Sequence, residues 1–435
     1  MKRLFSLMLI FLALAVSCKK DDSEGDNEDP TIITVGRDYL YTIMQKWYYW
    51  YDLMPTVTKG DYKDPYELLE AMRYKKLDKW SFVADYAEFT AEMEGTFVGH
   101  GFRIGVDDSG KARIAMIYEK SPLHKDYEVS RGWIVKSING TDIAPILSAG
   151  NTTAYNDVIG ESKAGVTNTF VFEKPDGSEL TVSSTKASFT VNSVLVYDTL
   201  HLSSGVTGHL VFESFIEPSE QELANAFSYF SANNVNNIIV DLRYNTGGYL
   251  YIAQELASYI AGNSIEGKTF AELSYNDKNQ DQNIIYPFIT TSYPLTISKM
   301  VVITTRSTAS ASEAVMNGLK PFVDIVSIGD TTNGKPVGMN GWTVGETYYI
   351  WPITFKIVND SNEGDYFGGI APNQIQSDDI THDFSDRNEA CLKDAISYLE
   401  TGSFSGKGAV SFKKSAQYSE KPSWMDNAFV REKDK

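Results

Sequence analysis

The stretch "NIIVDLRYNTGGYLYIAQELASYIAG", residues 237–262, changes its hydrophobic pattern halfway along. "NIIVDLR" is an apolar, β-branched run, which reads as a strand with largely buried faces. "YLYIAQELASYIAG" reads as a helix. Between them "RYNTGG" (243–248) sets two glycines after a strand and before a helix, where backbone N–H groups can point at an anion or an oxyanion. The alternation continues on both sides. "HLVFESF" reads as a strand, and Ser219-x-x-Glu222 reads as a capping box ahead of an amphipathic helix carrying Leu223, Ala226, Phe227 and Phe230. "MVVITT", "SEAVMNGLK" and "VDIVSIG" follow as strand, helix and strand. This predicts an α/β layer over residues 191–402, with chemistry in the loops at strand ends.

Residues 94–190 have a different texture. Short β-like runs are broken by turn signals, among them Asn139-Gly140 after "WIVKSI" and Pro175-Asp176-Gly177, so a small β-rich domain is expected. Residues 36–93 are aromatic-rich and helical in period. Leu40, Ile43, Met44 and Trp47 share one face, and Asp64-Pro65 opens a second helix. The aromatic stripe reads as core packing in preference to a ligand platform. Residues 403–435 carry no period and read as a tail, packed or loose.

The chain begins with Lys2-Arg3, an apolar run from Leu4 to Val16 and Ser17-Cys18. The run is too short to span a bilayer and fits a signal peptide over residues 1–17. "LAVSC" resembles a lipobox, which makes Cys18 the expected lipidation site and residues 18–35 an acidic tether. "KKDD" after it resembles the surface-export signal of Bacteroidetes-type lipoproteins. An outer-membrane lipoprotein, on the cell surface or the periplasmic face, is the expectation. The net charge of −18 argues against nucleic acid as a partner. The five histidines are scattered, and no Cys/His cluster appears, so neither a metal nor another cofactor is expected. With Cys18 acylated, Cys391 has no intrachain partner and reads as a buried small hydrophobe.

One stretch imitates a nucleotide site. "VSIGDTTNGKPVG", residues 326–338, has the Gly-x4-Gly-Lys spacing of a phosphate loop. That loop needs Ser or Thr after the lysine and a helix starting there, whereas Pro336-Val337-Gly338 follows Lys335. The lysine therefore has another task. Together with "RSTASAS" (306–312), just before a helix, and the glycine pair, it supplies the ingredients of Ser-Lys nucleophilic catalysis at three strand ends. On residue types alone a cap, a turn and a solvated lysine explain the same features.

"TASASE" (308–313), "GDTTNGK" (329–335) and "VDLRYNTGG" (240–248) resemble the signature blocks of the C-terminal processing peptidases, the tail-specific serine proteases. "GFRI…SPL…RGWIVKSINGTDI" is similar to the PDZ domain those enzymes carry, and the likeness runs over roughly residues 36–400, with the blocks in the family's order. The resemblance implies a multidomain α/β chain: an N-terminal helical segment, a β-rich PDZ domain and an α/β peptidase core of the ClpP/crotonase kind. It implies Ser310 as nucleophile and Lys335, 25 residues on, as its base. Gly247 or Gly248, together with Ala311, would supply the oxyanion donors, and spacing leaves the two glycines open. Gly99, His100, Gly101 and Phe102 would form the PDZ carboxylate loop, with His100 either tuning it or merely exposed. The implied partners are polypeptides, unfolded or with accessible C-termini. Three positions depart from the family pattern: Met339 stands where Gln is common, Pro321 where Asp is common, and Trp133 follows Arg131-Gly132 in place of Asp. The alternatives are a non-catalytic peptide-binding lipoprotein and a glycan-binding one that uses the aromatic N-terminal region.

Overall fold

The computed structural model describes residues 30–297, 299–406, 418–419 and 430–431. The expected signal peptide and Cys18 lie outside the described residues. Helix α1 (Pro30–Trp47) begins six residues inside the segment assigned to the tether, with Pro30 at its first position, where a missing N–H costs nothing. Helix α2 (Pro65–Met72) starts as expected: the Asp64 carboxylate accepts the Glu67 N–H at 2.8 Å. Strand β1 (Phe82–Asp85), helix α3 (Tyr86–Met93) and strand β2 (Thr96–Gly99) complete the N-terminal region.

The β-rich domain runs through β3 (Phe102–Val106), β4 (Ala112–Ile117), α4 (Pro122–Tyr127), β5 (Ile134–Ile138), α5 (Ala144–Ser148), α6 (Thr152–Ile159), β6 (Thr167–Glu173) and β7 (Glu179–Thr185). Its strands lie in sequence order in one antiparallel sheet. Asn139 and Gly140 both take positive φ (52° and 79°), and Ile138 and Thr141 exchange backbone hydrogen bonds across them, which is the two-residue turn the Asn-Gly pair predicts. Strand β8 (Ala187–Thr190) leaves this sheet and pairs with β2.

The third region contains β9 (Val194–Leu202), β10 (Gly205–Phe212), α7 (Ser219–Ala232), β11 (Asn237–Asp241), β12 (Gly248–Tyr249), α8 (Leu250–Ala261), β13 (Thr269–Tyr275), β14 (Ile284–Pro287), β15 (Lys299–Thr304), α9 (Ala311–Leu319) and β16 (Asp324–Gly329). It continues with β17 (Val337–Met339), β18 (Trp342–Val344), β19 (Tyr348–Trp351), β20 (Ile353–Val358), β21 (Gln374–Ile375) and α10 (Ala390–Thr401). The central sheet has the order β21-β16-β15-β11-β10-β9 and is parallel except for β9. Its side chains alternate between two covers, as the period of a strand requires. Ile239, Val301, Ile303 and Ile328 cluster with Leu392, Ala395 and Cys391 of α10, so Cys391 is the buried hydrophobe expected. Ile238, Val240, Met300 and Val302 join α7, α8 and α9 in the main core. A second sheet, β14-β13-β20-β17, is antiparallel.

The N-terminal helical region shares its core with the third region: Leu40, Met44, Trp50 and Phe89 lie in the same apolar cluster as Tyr348 and Trp351, and β1 pairs with β19. The aromatic stripe packs inward, with Trp47 5.6 Å from Trp342 and 6.2 Å from Tyr275. Ser219-x-x-Glu222 is not a capping box. Glu222 accepts from the Ser193 N–H, the Ser193 hydroxyl and the Val194 N–H, and the Ser219 hydroxyl donates to Ser214 O. A tertiary partner outcompeted the local one.

Beyond Gly406 two short strands are described. β22 (Tyr418–Ser419) adds to the edge of the β-rich sheet beside β3, and β23 (Val430–Arg431) pairs in parallel with β12.

Candidate active site

Parallel strands deliver their following loops to one edge, and the three sequence blocks all leave the carboxyl ends of neighbouring strands. Asp241 of β11 lies opposite Ile303 of β15, and Thr304 lies opposite Gly329 of β16. The loops that follow are stitched together. Ala309 N–H donates to Asn245 O at 3.1 Å, Asn333 N–H to Thr308 O at 2.9 Å and the Thr308 hydroxyl to Leu242 O at 2.7 Å. The Ser312 hydroxyl is spent on Asn245 O at 3.1 Å.

Ser310 is buried at the N-terminus of α9, with φ 56° and ψ −110°. A non-glycine residue in this region carries strain of roughly 1–3 kcal/mol, and such strain collects at functional sites. Its Oγ is buried and has no hydrogen-bond partner among the described residues. Lys335 is 0 % exposed. Burial holds its amine well below the usual lysine range, although the carboxylates of Asp78 and Glu313 favour the charged form. The amine points at Met339 Sδ, 3.2 Å away. A thioether sulfur is a weak acceptor, so Met339 does more than pack, but it does little to hold an ammonium.

Glu313 ties these residues together. Its Oε2 accepts the Ser310 N–H at 2.9 Å and the Lys335 N–H at 2.8 Å, and its Oε1 accepts the Gly334 N–H at 2.7 Å and the Thr332 hydroxyl. Ser310 and Lys335 thus hang from one oxygen atom, with their backbone nitrogens within two hydrogen-bond lengths. Burial raises the Glu313 carboxyl above its ordinary range against the pull of its four donors. Ser310-x-x-Glu313 has the capping-box spacing, a signal for Glu313 that the sequence itself carries. Asp78 comes from the N-terminal region, where it accepts the Tyr48 hydroxyl at 2.7 Å and the N–H groups of Trp80 and Ser81 at 2.9 Å. Nothing local in the sequence links it to Lys335. No group of three or more His, Cys, Asp and Glu residues able to hold a metal occurs among the described residues.

The two glycines differ. The Gly247 N–H is taken by Asn245 Oδ1 at 2.9 Å. Gly248 has φ 135°, and a Cβ there would meet Phe215 O at 2.2 Å, so only glycine fits this bridge. Ala311 is the first residue of α9, and helix geometry gives its N–H no partner within the helix.

The loop Gly99–Phe102 departs from expectation at His100. The imidazole is neither exposed nor open to a ligand: it is 0 % exposed, and its ring nitrogens meet Ser184 Oγ at 3.0 Å and Asn168 Oδ1 at 2.8 Å. Phe170 packs edge-on against it at 4.9 Å. A buried ring needs both nitrogens satisfied, and that need fixes it as scaffold. Gly99 ends β2, opposite Ala187. Gly101 turns with φ +75°, and a Cβ there would meet Ser121 Cβ at 2.4 Å. Phe102 is buried in the domain's core. Arg131 clasps the β-rich domain to the third region, donating to Asp378 Oδ1 at 3.0 Å and the Tyr244 hydroxyl at 2.9 Å. Asp378 also receives Arg243, which is bound to Asp241 and Glu389.

Residues 206–375 match the model of peptidase family S41, and residues 37–82 match that of the peptidase S41 N-terminal domain. A carboxy-terminal processing protease of Bacillus subtilis is 24 % identical over 274 residues, 61 % of this chain. The chain spans about half, 53 %, of that relative's length. A crystal structure described as an S41 protease from Bacteroides fragilis is 22 % identical, with a TM-score of 0.70 over 83 % of this chain and 96 % of that one. The photosystem II D1 C-terminal processing protease follows at 16 % identity and a TM-score of 0.50, over 83 % of this chain and 97 % of its own. With the strand-end loops brought to one edge, residues 37–82 and 206–375 carry the two domains of peptidase family S41, and the chain is similar to the C-terminal processing peptidases.

Proposed function

We propose that this chain is a serine endopeptidase in which Ser310 is the nucleophile and Lys335 its general base. The observation that carries the reading is the pairing of a strained serine, its Oγ without a partner among the described residues, with a fully buried lysine held toward neutrality, both fastened to Glu313. Ser310 Oγ attacks the scissile carbonyl and passes its proton to the neutral Lys335 amine. The resulting ammonium gives that proton to the departing amine, and water then attacks the acyl-enzyme by the same relay. Ala311 N–H and a loop glycine N–H, Gly247 or Gly248, face the oxyanion; Gly247 must first release Asn245. The β-rich domain acts as a PDZ-type strand-binding module that presents polypeptide substrates. Cys18 anchors the protein to the outer membrane, a point tested by release of Cys18→Ala from the membrane fraction.

A peptide-binding protein without turnover is the second reading. It is favoured by one observation: the lysine amine lies against Met339 Sδ, with no hydrogen bond to Ser310 Oγ. Labelling by a fluorophosphonate separates the two. Modification at Ser310, lost in Lys335→Ala, is the outcome expected of the peptidase, and an unlabelled, folded protein would support the second reading.

A further inference from the structure

The two strands described beyond Gly406 lie against the edge of the β-rich sheet and against the glycine loop. β22 runs antiparallel to β3, with Tyr418 opposite Ile104 and Ser419 opposite Arg103. The Tyr418 side chain is 9 % exposed and sits 5.2 Å from the Tyr155 ring of α6, in one cluster with Phe102, Ile104 and Ile159. A strand added beside β3, with one aromatic side chain sunk between strand and helix, is peptide capture by sheet extension. Eleven residues after Ser419, Val430 and Arg431 pair with Gly248 and Tyr249. The same short strand also lies against β17, which ends at Met339, the neighbour of the Lys335 amine. It therefore fills the gap between the glycine loop and the lysine's strand.

We propose that Tyr418–Ser419 and Val430–Arg431 are intramolecular occupants of the substrate path, the first held by Tyr418 in the β3–α6 groove and the second by pairing with the glycine loop. This rests on the peptidase reading only for its effect on turnover. The ligand class of the groove is an extended peptide segment bearing an aromatic residue, taken internally, since sixteen residues follow Ser419. Charge favours the docking: residues 407–435 carry seven Lys and Arg against four Asp and Glu in a chain of net charge −18. A ligand tethered by about a dozen residues is presented at an effective concentration on the order of 1 mM, so an intrinsic Kd of about 100 µM keeps the groove about nine-tenths filled. Release should then raise turnover about tenfold.

The test uses two variants, one ending at Gly406 and one full-length with Tyr418→Ala, each with and without Ser310→Ala. A fluorescein-labelled peptide of residues 411–435 should bind both variants in the Ser310→Ala background. It should bind the full-length Ser310→Ala protein at least tenfold more weakly, and raising the salt should weaken all binding. A peptide carrying Tyr418→Ala should lose at least tenfold. With Ser310 present, both variants should cleave unfolded casein about tenfold faster than the full chain, and the peptide should reverse this. Equal peptide binding by the full chain and the variants, or none by folded variants, would overturn the proposal. If no protein cleaves casein the peptidase reading fails, and the binding measurements still decide this one.

Discussion

Among the described residues two lysines are buried, one in the β-rich domain and one at the candidate site, and their surroundings are opposite. Lys186 donates to Gly160 O at 2.9 Å and Glu161 O at 2.8 Å, so its ammonium is hydrated by the backbone in place of water. Among the described residues the Lys335 amine meets only the Met339 sulfur. The first arrangement holds a charge; the second works against one. Burial alone therefore says little about chemistry, and the partners of the buried group decide. His100 makes the same point from the scaffold side, since its ring nitrogens are both engaged.

The largest effect should fall on turnover. Ser310→Ala and Lys335→Ala should each lower casein cleavage by at least about a thousandfold, while Lys186→Met should leave the rate within about threefold. Circular dichroism should show all three folded. A Lys335→Ala enzyme retaining a tenth of the activity would erase the distinction between the two lysines.

Next comes Glu313→Gln. Whichever way the amide turns, its NH2 faces donors that the carboxylate accepts, either Ser310 and Lys335 or Gly334 and Thr332. Two buried donors lose their acceptor, at about 1–3 kcal/mol each. The rate should fall about 10–100-fold with KM little changed, because the loss misplaces the reacting groups without touching substrate. An unchanged kcat would reduce Glu313 to an ordinary helix cap.

Much of this site was legible in the chain. The three blocks could be assigned to strand-end loops because each followed an apolar run, and parallel strands bring such loops together without further information. The rest required tertiary contacts. Asp78 acts on Lys335 from a region 257 residues earlier, and no local pattern encodes that approach. Ser219-x-x-Glu222 looked like the capping box and was not, because Ser193 and Val194 claimed the carboxylate. Ser310-x-x-Glu313 had the same spelling, and its glutamate does take the Ser310 N–H. β22 and β23 are two residues each, too short for any period to reveal. The start of α1 was missed because an acidic segment runs directly into Pro30.

Stability should separate the two lysines with opposite signs. The folded value for Lys335 lies below that of the unfolded chain, so between the two the unfolded state holds a proton that the folded state lacks. This costs stability at neutral pH, and the cost fades as pH rises toward about 10.4. Lys335→Met should therefore raise Tm, by about 3 °C or more at pH 7 and by less at pH 9.5. Lys186→Met strands two carbonyls and should lower Tm at both. A Lys335→Met protein less stable than its parent at pH 7 would show that the amine is held charged.

The smallest expected effect concerns Met339, whose sulfur is the only hydrogen-bond partner recorded for the Lys335 amine among the described residues. A general base must be neutral to act, so activity is lost on the acid side as the lysine gains its proton. Met339→Gln replaces a weak acceptor with an amide oxygen that stabilises the ammonium. The lysine then keeps its proton to higher pH, and the acid limb of kcat against pH should move upward. On the plateau the amine is neutral in both proteins, so the rate should stay within about threefold, roughly 0.7 kcal/mol of barrier. A limb that moves downward would mean that the sulfur had been stabilising the charge. Profiles that overlay would mean that the amine leaves Met339 before it reaches Ser310, and the contact would then belong to the resting enzyme alone.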